Sequence, residues 1–163
     1  MRRVCVAGPR LGLGLAFGVG GLFVAGSANA VGGGAVPEAD LAYHGYVAMA
    51  GGRVDVRMTP RNHGPADVPD ATVRLRWSVP LADRQWLPEG CARTGGRTVM
   101  CRTGALAADG AGEEIRVGVR LQGSPTEVTL VIDTVWGGGA VDRNHQNDRR
   151  QVLALDTGDS YVF

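Results

Sequence analysis

Apolar and polar residues alternate with a period of two along most of the chain beyond residue 40, a pattern typical of half-buried β-strands. Thr72–Val79 shows it most clearly, since Val73, Leu75 and Trp77 share one face while arginines and small polar residues share the other. Helical periodicity is almost absent. The pattern predicts strands over Leu41–Met49, Arg53–Thr59, Thr72–Val79, Ile115–Leu121, Glu127–Trp136 and Arg150–Leu155.

Turn-forming residues separate these segments, as at Asn62-His63-Gly64-Pro65. Cys91 and Cys101 flank Gly95-Gly96, which predicts a β-hairpin with the glycines at its tip. Glu127–Trp136 carries apolar residues on both faces, so we expect a central, buried strand. The sequence therefore predicts an all-β sandwich of seven or eight strands, with Trp77 in its core.

The first thirty residues predict a secretory signal peptide. Arg2, Arg3 and Arg10 are followed by an uncharged apolar run over 11–25, and Ala28-Asn29-Ala30 matches a cleavage site. The run is too short for a membrane span. We expect a secreted, extracellular protein, released or associated with the cell wall, with no membrane span in its mature form. The predicted organisation is a signal peptide over 1–30, a flexible linker over 31–38, one sandwich domain over 39–156 and a C-terminal tail over 157–163.

Cys91 and Cys101 are the only cysteines after the leader. Because an extracellular protein experiences oxidising conditions, we expect them to form a disulfide. Their spacing differs from Cys-x-x-Cys, so the predicted bond is structural rather than redox-active. Closing so short a loop contributes about 2–3 kcal/mol in the chain-entropy model.

Four short motifs follow one another in the sequence. They are Asn62-x-Gly64-Pro65, Leu87-Pro88-x-Gly90-Cys91, Val99-x-Cys101-x-x-Gly104-x-Leu106 and Asp142-x-Asn144-x-x-Asn147. Their order and spacing resemble the conserved repeat domain of unknown function in bacterial and archaeal cell-surface proteins. The resemblance covers about residues 39–155 and implies an immunoglobulin-like β-sandwich without catalytic residues. Two features depart from the family: this chain has a single copy, and its last turn lacks the usual proline.

Composition argues against several functions. The formal net charge is +1, or −2 once the three leader arginines are removed, which disfavours nucleic acid as the main partner. All seventeen basic residues are arginine, so Schiff-base catalysis and a phosphate-loop lysine are excluded. Ser78, Ser124 and Ser160 lie outside any Gly-x-Ser-x-Gly motif. We therefore expect a protein that is not an enzyme and needs no cofactor.

Outward-facing arginines are the main candidate for binding. Three predicted strands carry them in pairs: Arg53 and Arg57, Arg74 and Arg76, and Arg116 and Arg120. If these strands lie on one sheet, the arginines form a patch for phosphate or carboxylate polymers such as wall glycopolymers. We select Arg74, Arg76, Arg116 and Arg120 as the predicted binding residues. The alternative is an ordinary solvated face that neighbouring acids neutralise.

Asp142, Asn144 and Asp148 form a second candidate, a calcium site, because they bring several oxygen ligands together. The segment does not match the EF-hand pattern, and Asx side chains capping their own turn explain it more simply. His44, His63 and His145 have no metal-site spacing.

These observations predict a secreted, non-enzymatic surface or adhesion-type module, binding or structural, whose partner is an unidentified protein or cell-wall component. The alternative is a small secreted protease inhibitor that presents the disulfide hairpin loop, Ala92–Met100. In that case the rigid loop is preorganised, and Arg93 or Arg97 enters a trypsin-like pocket.

Overall fold

The computed structural model describes residues 35–163, so the predicted signal peptide and most of the predicted linker lie outside the described residues. Within this range the chain is all-β, with twelve strands in three sheets, and none of it forms a helix that could cross a membrane. The strands are β1 (Glu38–Ala39), β2 (Leu41–Ala50), β3 (Arg53–Asn62), β4 (Thr72–Trp77), β5 (Cys91–Gly95), β6 (Thr98–Arg102), β7 (Gly110–Ala111), β8 (Ile115–Arg120), β9 (Glu127–Trp136), β10 (Val141–Asp142), β11 (Arg149–Leu155) and β12 (Ser160–Val162).

Two five-stranded sheets form the body of the fold. The first, here called the disulfide sheet, has the order β11-β9-β4-β6-β5. The second, the arginine sheet, has the order β12-β2-β3, and both β8 and β7 pair with the far side of β3. A small parallel sheet of β1 and β10 is separate from both.

The hydrophobic core lies between these two sheets, because their inward side chains belong to one cluster. Val54 and Val56 enter it from β3, while Leu75 and Trp77 enter it from β4. Trp77 is only 1% exposed, which confirms its predicted place in the core. Alternation along each strand therefore produces a two-layered β-sandwich.

The longer strands follow the predictions closely. The bounds of β9 are those predicted, and it lies inside the disulfide sheet between β11 and β4. Its outer side is not buried as expected, since Val135 is 47% exposed. β3 continues to Asn62, beyond its predicted end, because its last residues pair with β2 on one side and with β7 on the other. The predicted count of seven or eight strands omits four strands of only two or three residues.

Both ends of the described chain are paired. Ser160–Val162 forms β12 and pairs with β2, and Phe163 exchanges two backbone hydrogen bonds with Gly45, of 3.0 and 3.2 Å. At the other end, Val141 donates to the carbonyl of Pro37 (2.8 Å). Among the described residues, backbone pairing thus extends beyond 39–156 at both ends, and the predicted tail contains β12.

The predicted disulfide is present. Cys91 and Cys101 are direct partners on the antiparallel strands β5 and β6, with Cα atoms 4.0 Å apart. β5 ends at Gly95 and β6 begins at Thr98, so the glycine-containing turn lies at the hairpin tip as predicted.

Candidate functional site

Four arginines lie together on the outer side of the arginine sheet. In the antiparallel pairing of β3 with β8, Arg53 is opposite Arg120 and Arg57 is opposite Arg116. Their chain neighbours are buried or half-buried, so alternation directs all four side chains to solvent, where all are exposed. These four residues are here called the arginine face.

The arginine face concentrates positive charge. Like charges directly opposite each other on neighbouring strands destabilise a sheet, and this surface has two such pairs. Arg116 forms an ion pair with Glu114, whereas Arg53, Arg57 and Arg120 form no salt bridge with a carboxylate of the described residues. Three guanidinium groups therefore remain open to an external anion.

A shallow depression lies at the centre of this face. Asp55 is opposite Gly118, between the two arginine pairs. Gly118 has no side chain, so an open depression of about 260 Å³ forms there, bordered by Arg57 and Arg116. A Cβ atom at Gly118 would lie 3.0 Å from Asp55 Oδ1, which shows how closely the carboxylate covers this strand. The Asp55 carboxylate therefore lies over Gly118, between the two arginine pairs.

Side chains of β2 extend the face. The guanidinium carbon of Arg57 lies 5.8 Å from the ring centroid of Tyr46, a cation–π contact. His44 is exposed two residues earlier, and its pKa is lowered by partial burial and then by the charges of Arg150, Arg61 and His63. Arg61 and His63 contribute positive charge near His44, but burial is the larger cause of the lowered pKa.

The structure separates the four arginines predicted from the sequence. Arg116 and Arg120 belong to the arginine face, but Arg74 and Arg76 lie on β4 of the disulfide sheet, on the opposite outer side. Arg74 donates two hydrogen bonds to Asp133. This carboxylate raises the pKa of Arg74 and compensates the positive charge of its guanidinium group. The condition stated for a single patch, that the three strands lie on one sheet, is met by β3 and β8 and is not met by β4.

The depression also involves residues that sequence reasoning did not select as binding residues, namely Tyr46, Asp55 and Gly118. For Gly118 a signal is present, because an isolated glycine within an alternating strand indicates a close approach to the backbone. For Tyr46 there is none, since the pairing of β2 with β3 decides that it contacts Arg57.

In the candidate calcium site, the carboxylates of Asp142 and Asp148 have polar contacts with other groups of the protein. Asp142 Oδ2 accepts from the Leu41 amide (2.7 Å), and Oδ1 accepts from the Asn144 amide (2.8 Å). Asp148 Oδ2 lies 3.2 Å from His145 Nδ1. Within residues 35–163 no three His, Cys, Asp or Glu side chains are grouped to hold a metal ion. The geometry fits side chains that cap their own turn.

Both arginines considered for protease inhibition, Arg93 and Arg97, form hydrogen bonds within the protein. Arg93 Nη1 donates to the carbonyl of Ala82 (2.8 Å), and Arg93 Nε donates to the carbonyl of Gly95 (3.0 Å). The carbonyl of Arg97 accepts from the Trp77 amide (3.0 Å). The Arg93 side chain and the Arg97 carbonyl are thus already used within the protein.

Comparisons of the chain with models of protein families, with curated proteins and with solved structures give no match. The assignment of a function therefore depends on the geometry of the arginine face.

Proposed function

We propose that this protein is a secreted, non-enzymatic binding module, built as an immunoglobulin-like β-sandwich, that holds a polyanionic polymer of the cell surface. The observation that carries the proposal is the double arginine pair of the arginine face, Arg53 with Arg120 and Arg57 with Arg116. Such pairs cost stability in the free protein, and an anion placed between two guanidinium groups removes that cost.

The spacing of the arginines suits a repeating ligand. Arg53 and Arg57 are four residues apart on one strand, so the two pairs are separated by about 13 Å. A small anion contacts one pair at a time, whereas a polymer with regularly spaced anionic groups reaches both. Guanidinium groups bind phosphate and carboxylate oxygens in a bidentate manner, and both groups occur in cell-wall polymers.

The inhibitor alternative has less structural support. A substrate-like inhibitor must place an arginine side chain in the protease pocket and the carbonyl of the same residue in the oxyanion hole. Arg93 lacks a free side chain, because it donates to Ala82 and Gly95. Arg97 lacks a free carbonyl, because that oxygen accepts from Trp77. Neither arginine of the hairpin loop therefore offers both groups that a substrate-like inhibitor needs.

The proposal is tested by measuring the binding of the purified, oxidised protein to inorganic polyphosphate over a range of salt concentrations. We expect affinity to fall steeply with salt, as for other contacts between arginine and polyanions. Substituting Arg53, Arg57, Arg116 and Arg120 by Gln should weaken binding about ten-fold or more.

The matched control for the double variant Arg53→Gln, Arg120→Gln replaces Arg74 and Arg76 by Gln, which likewise removes two arginines, but from the opposite outer side. We expect this variant to bind within about two-fold of the parent. Equal loss in both variants, or binding that does not depend on salt, would contradict the proposal.

A further inference from the structure

Trp86 is the most exposed large apolar side chain among the residues that the structure describes, at 92%. It lies in the loop between β4 and β5. Water contact over a whole indole is unfavourable by about 25 cal/mol for each Å² of apolar surface. An exposed tryptophan is therefore a candidate contact residue when its position is fixed.

The loop that carries Trp86 is fixed on both sides of it. On the preceding side Leu81 is buried, and Arg93 donates to the carbonyls of Leu81 (3.2 Å) and Asp83 (3.1 Å). On the following side Leu87 packs against the core. These contacts hold the backbone around Trp86 in one arrangement, so binding there does not have to order the loop.

Gln85 attaches the same loop to the arginine face. Its Nε2 donates to the carbonyl of Arg120 (2.9 Å), and its Oε1 accepts from the Arg120 amide (2.9 Å). Trp86 is the next residue, so its backbone lies one residue from the contact with Arg120, on the β8 side of the arginine face.

We propose that Trp86 and the arginine face form one site for an anionic polysaccharide, in which the indole stacks on a sugar ring while the guanidinium groups bind acidic substituents. This inference rests on the proposed function and narrows its ligand from any polyanion to one with sugar rings. The indole has a flat apolar surface and an N–H donor, which match the apolar face and the hydroxyl groups of a sugar.

The surroundings of Trp86 favour a sugar over a protein partner. A protein interface surrounds its central tryptophan with other apolar residues. The exposed residues near Trp86 in the loop are instead Asp83, Arg84 and Glu89. Their side chains can hydrogen-bond to the hydroxyl groups of a sugar, whereas the two carboxylates would repel its acidic substituents, which we therefore expect to lie toward the arginine face.

Binding to two polyanions can distinguish the contact made by the indole from the contacts made by the guanidinium groups. Inorganic polyphosphate has charge but no rings, whereas polygalacturonate has a carboxylate on every sugar. We expect Trp86→Ala to weaken polygalacturonate binding about five-fold or more and polyphosphate binding by no more than about two-fold. Trp86→Tyr should recover part of the loss, because it restores an aromatic face.

Trp136→Ala is the matched control, since Trp136 is half-exposed on the disulfide sheet. It should leave both affinities within about two-fold of the parent. If Trp86→Ala leaves polygalacturonate binding unchanged, or weakens both polymers equally, the inference is overturned. The proposed function would still hold after that result if the Arg53→Gln, Arg120→Gln variant loses binding to both polymers. If the parent protein binds neither polymer, both the proposed function and the inference fail.

Discussion

At the scale of single residues, Asn62 shows why the Asn-x-Gly-Pro motif occurs. Its side chain is fully buried, and all of its hydrogen-bonding atoms are used. Oδ1 accepts from the amides of Gly64 (2.9 Å) and Asp40 (3.2 Å), while Nδ2 donates to the carbonyls of Ala66 (2.8 Å) and Ala107 (3.2 Å). One side chain thereby connects three segments of the chain.

We expect Asn62→Ala to lower the free energy of unfolding by about 3 kcal/mol or more, because it leaves buried backbone groups without partners. Urea unfolding followed by fluorescence measures the change. Asn62→Asp should also destabilise the protein, since the new oxygen faces two carbonyls. Asn144→Ala, an exposed asparagine, is the control. A loss below about 1 kcal/mol for Asn62→Ala would contradict this account.

His44 lies on the outer side of β2, the strand that pairs with β3 of the arginine face. Partial burial and the charges of Arg150, Arg61 and His63 lower its pKa. The imidazole of His44 therefore binds a proton more readily in the unfolded chain than in the folded protein. As the pH falls below the ordinary histidine pKa, this difference favours the unfolded chain and lowers the free energy of unfolding. Titration by nuclear magnetic resonance should give a pKa below the ordinary value. Polyphosphate should raise the pKa, and Arg61→Gln should raise it part of the way.

If polyphosphate binds and the pKa of His44 stays constant, the polymer does not contact this side of the sheet. Arg74→Gln is the control, because Arg74 lies on the opposite outer side and is paired with Asp133. It should leave the pKa of His44 unchanged.

At the scale of elements, the hairpin of β5 and β6 depends on its disulfide more than the sandwich does. β5 is an edge strand whose side chains are largely exposed, and it pairs with β6 alone. Replacing Cys91 and Cys101 by Ser should lower the free energy of unfolding by about 2–3 kcal/mol and leave the protein folded. Denaturant unfolding of the variant and of the oxidised parent measures this. A variant that fails to fold would show that the hairpin is needed for the core.

The longer strands were predictable because each buries one face, and burial of one face makes apolar and polar residues alternate along the sequence. β9 was found with its full bounds for this reason. The short strands β1, β7, β10 and β12 were not, because two or three residues contain too little alternation. What holds β12 is its pairing with β2, a contact between residues more than a hundred positions apart in the chain.

At the scale of the whole molecule, the site was only partly predictable. Alternation correctly directs Arg74 and Arg116 away from the core. It does not decide which sheet a strand joins, and β4 and β8 join different sheets. The arginine face therefore consists of Arg53 and Arg57 with Arg116 and Arg120, a combination that depends on the pairing of β3 with β8.

Asp55 sets the balance between stability and affinity on this face. Its carboxylate lies between the two arginine pairs, where it reduces their mutual repulsion in the free protein and repels an incoming anion. We expect Asp55→Asn to bind polyphosphate about three-fold more tightly, with a steeper dependence on salt, and to lose about 0.5 kcal/mol of stability. Titrations at two ionic strengths, together with thermal unfolding, measure both effects.

Asp133→Asn is the matched control, because it removes a carboxylate from the opposite outer side and releases Arg74 there. A polymer held by the arginine face gains nothing from that change, so the affinity of this variant should stay near that of the parent. Weaker binding by Asp55→Asn would mean that the carboxylate itself contacts the ligand, for instance by accepting from a hydroxyl group. Equal gains in both variants would mean that net charge, rather than the arrangement of Arg53, Arg57, Arg116 and Arg120, governs binding.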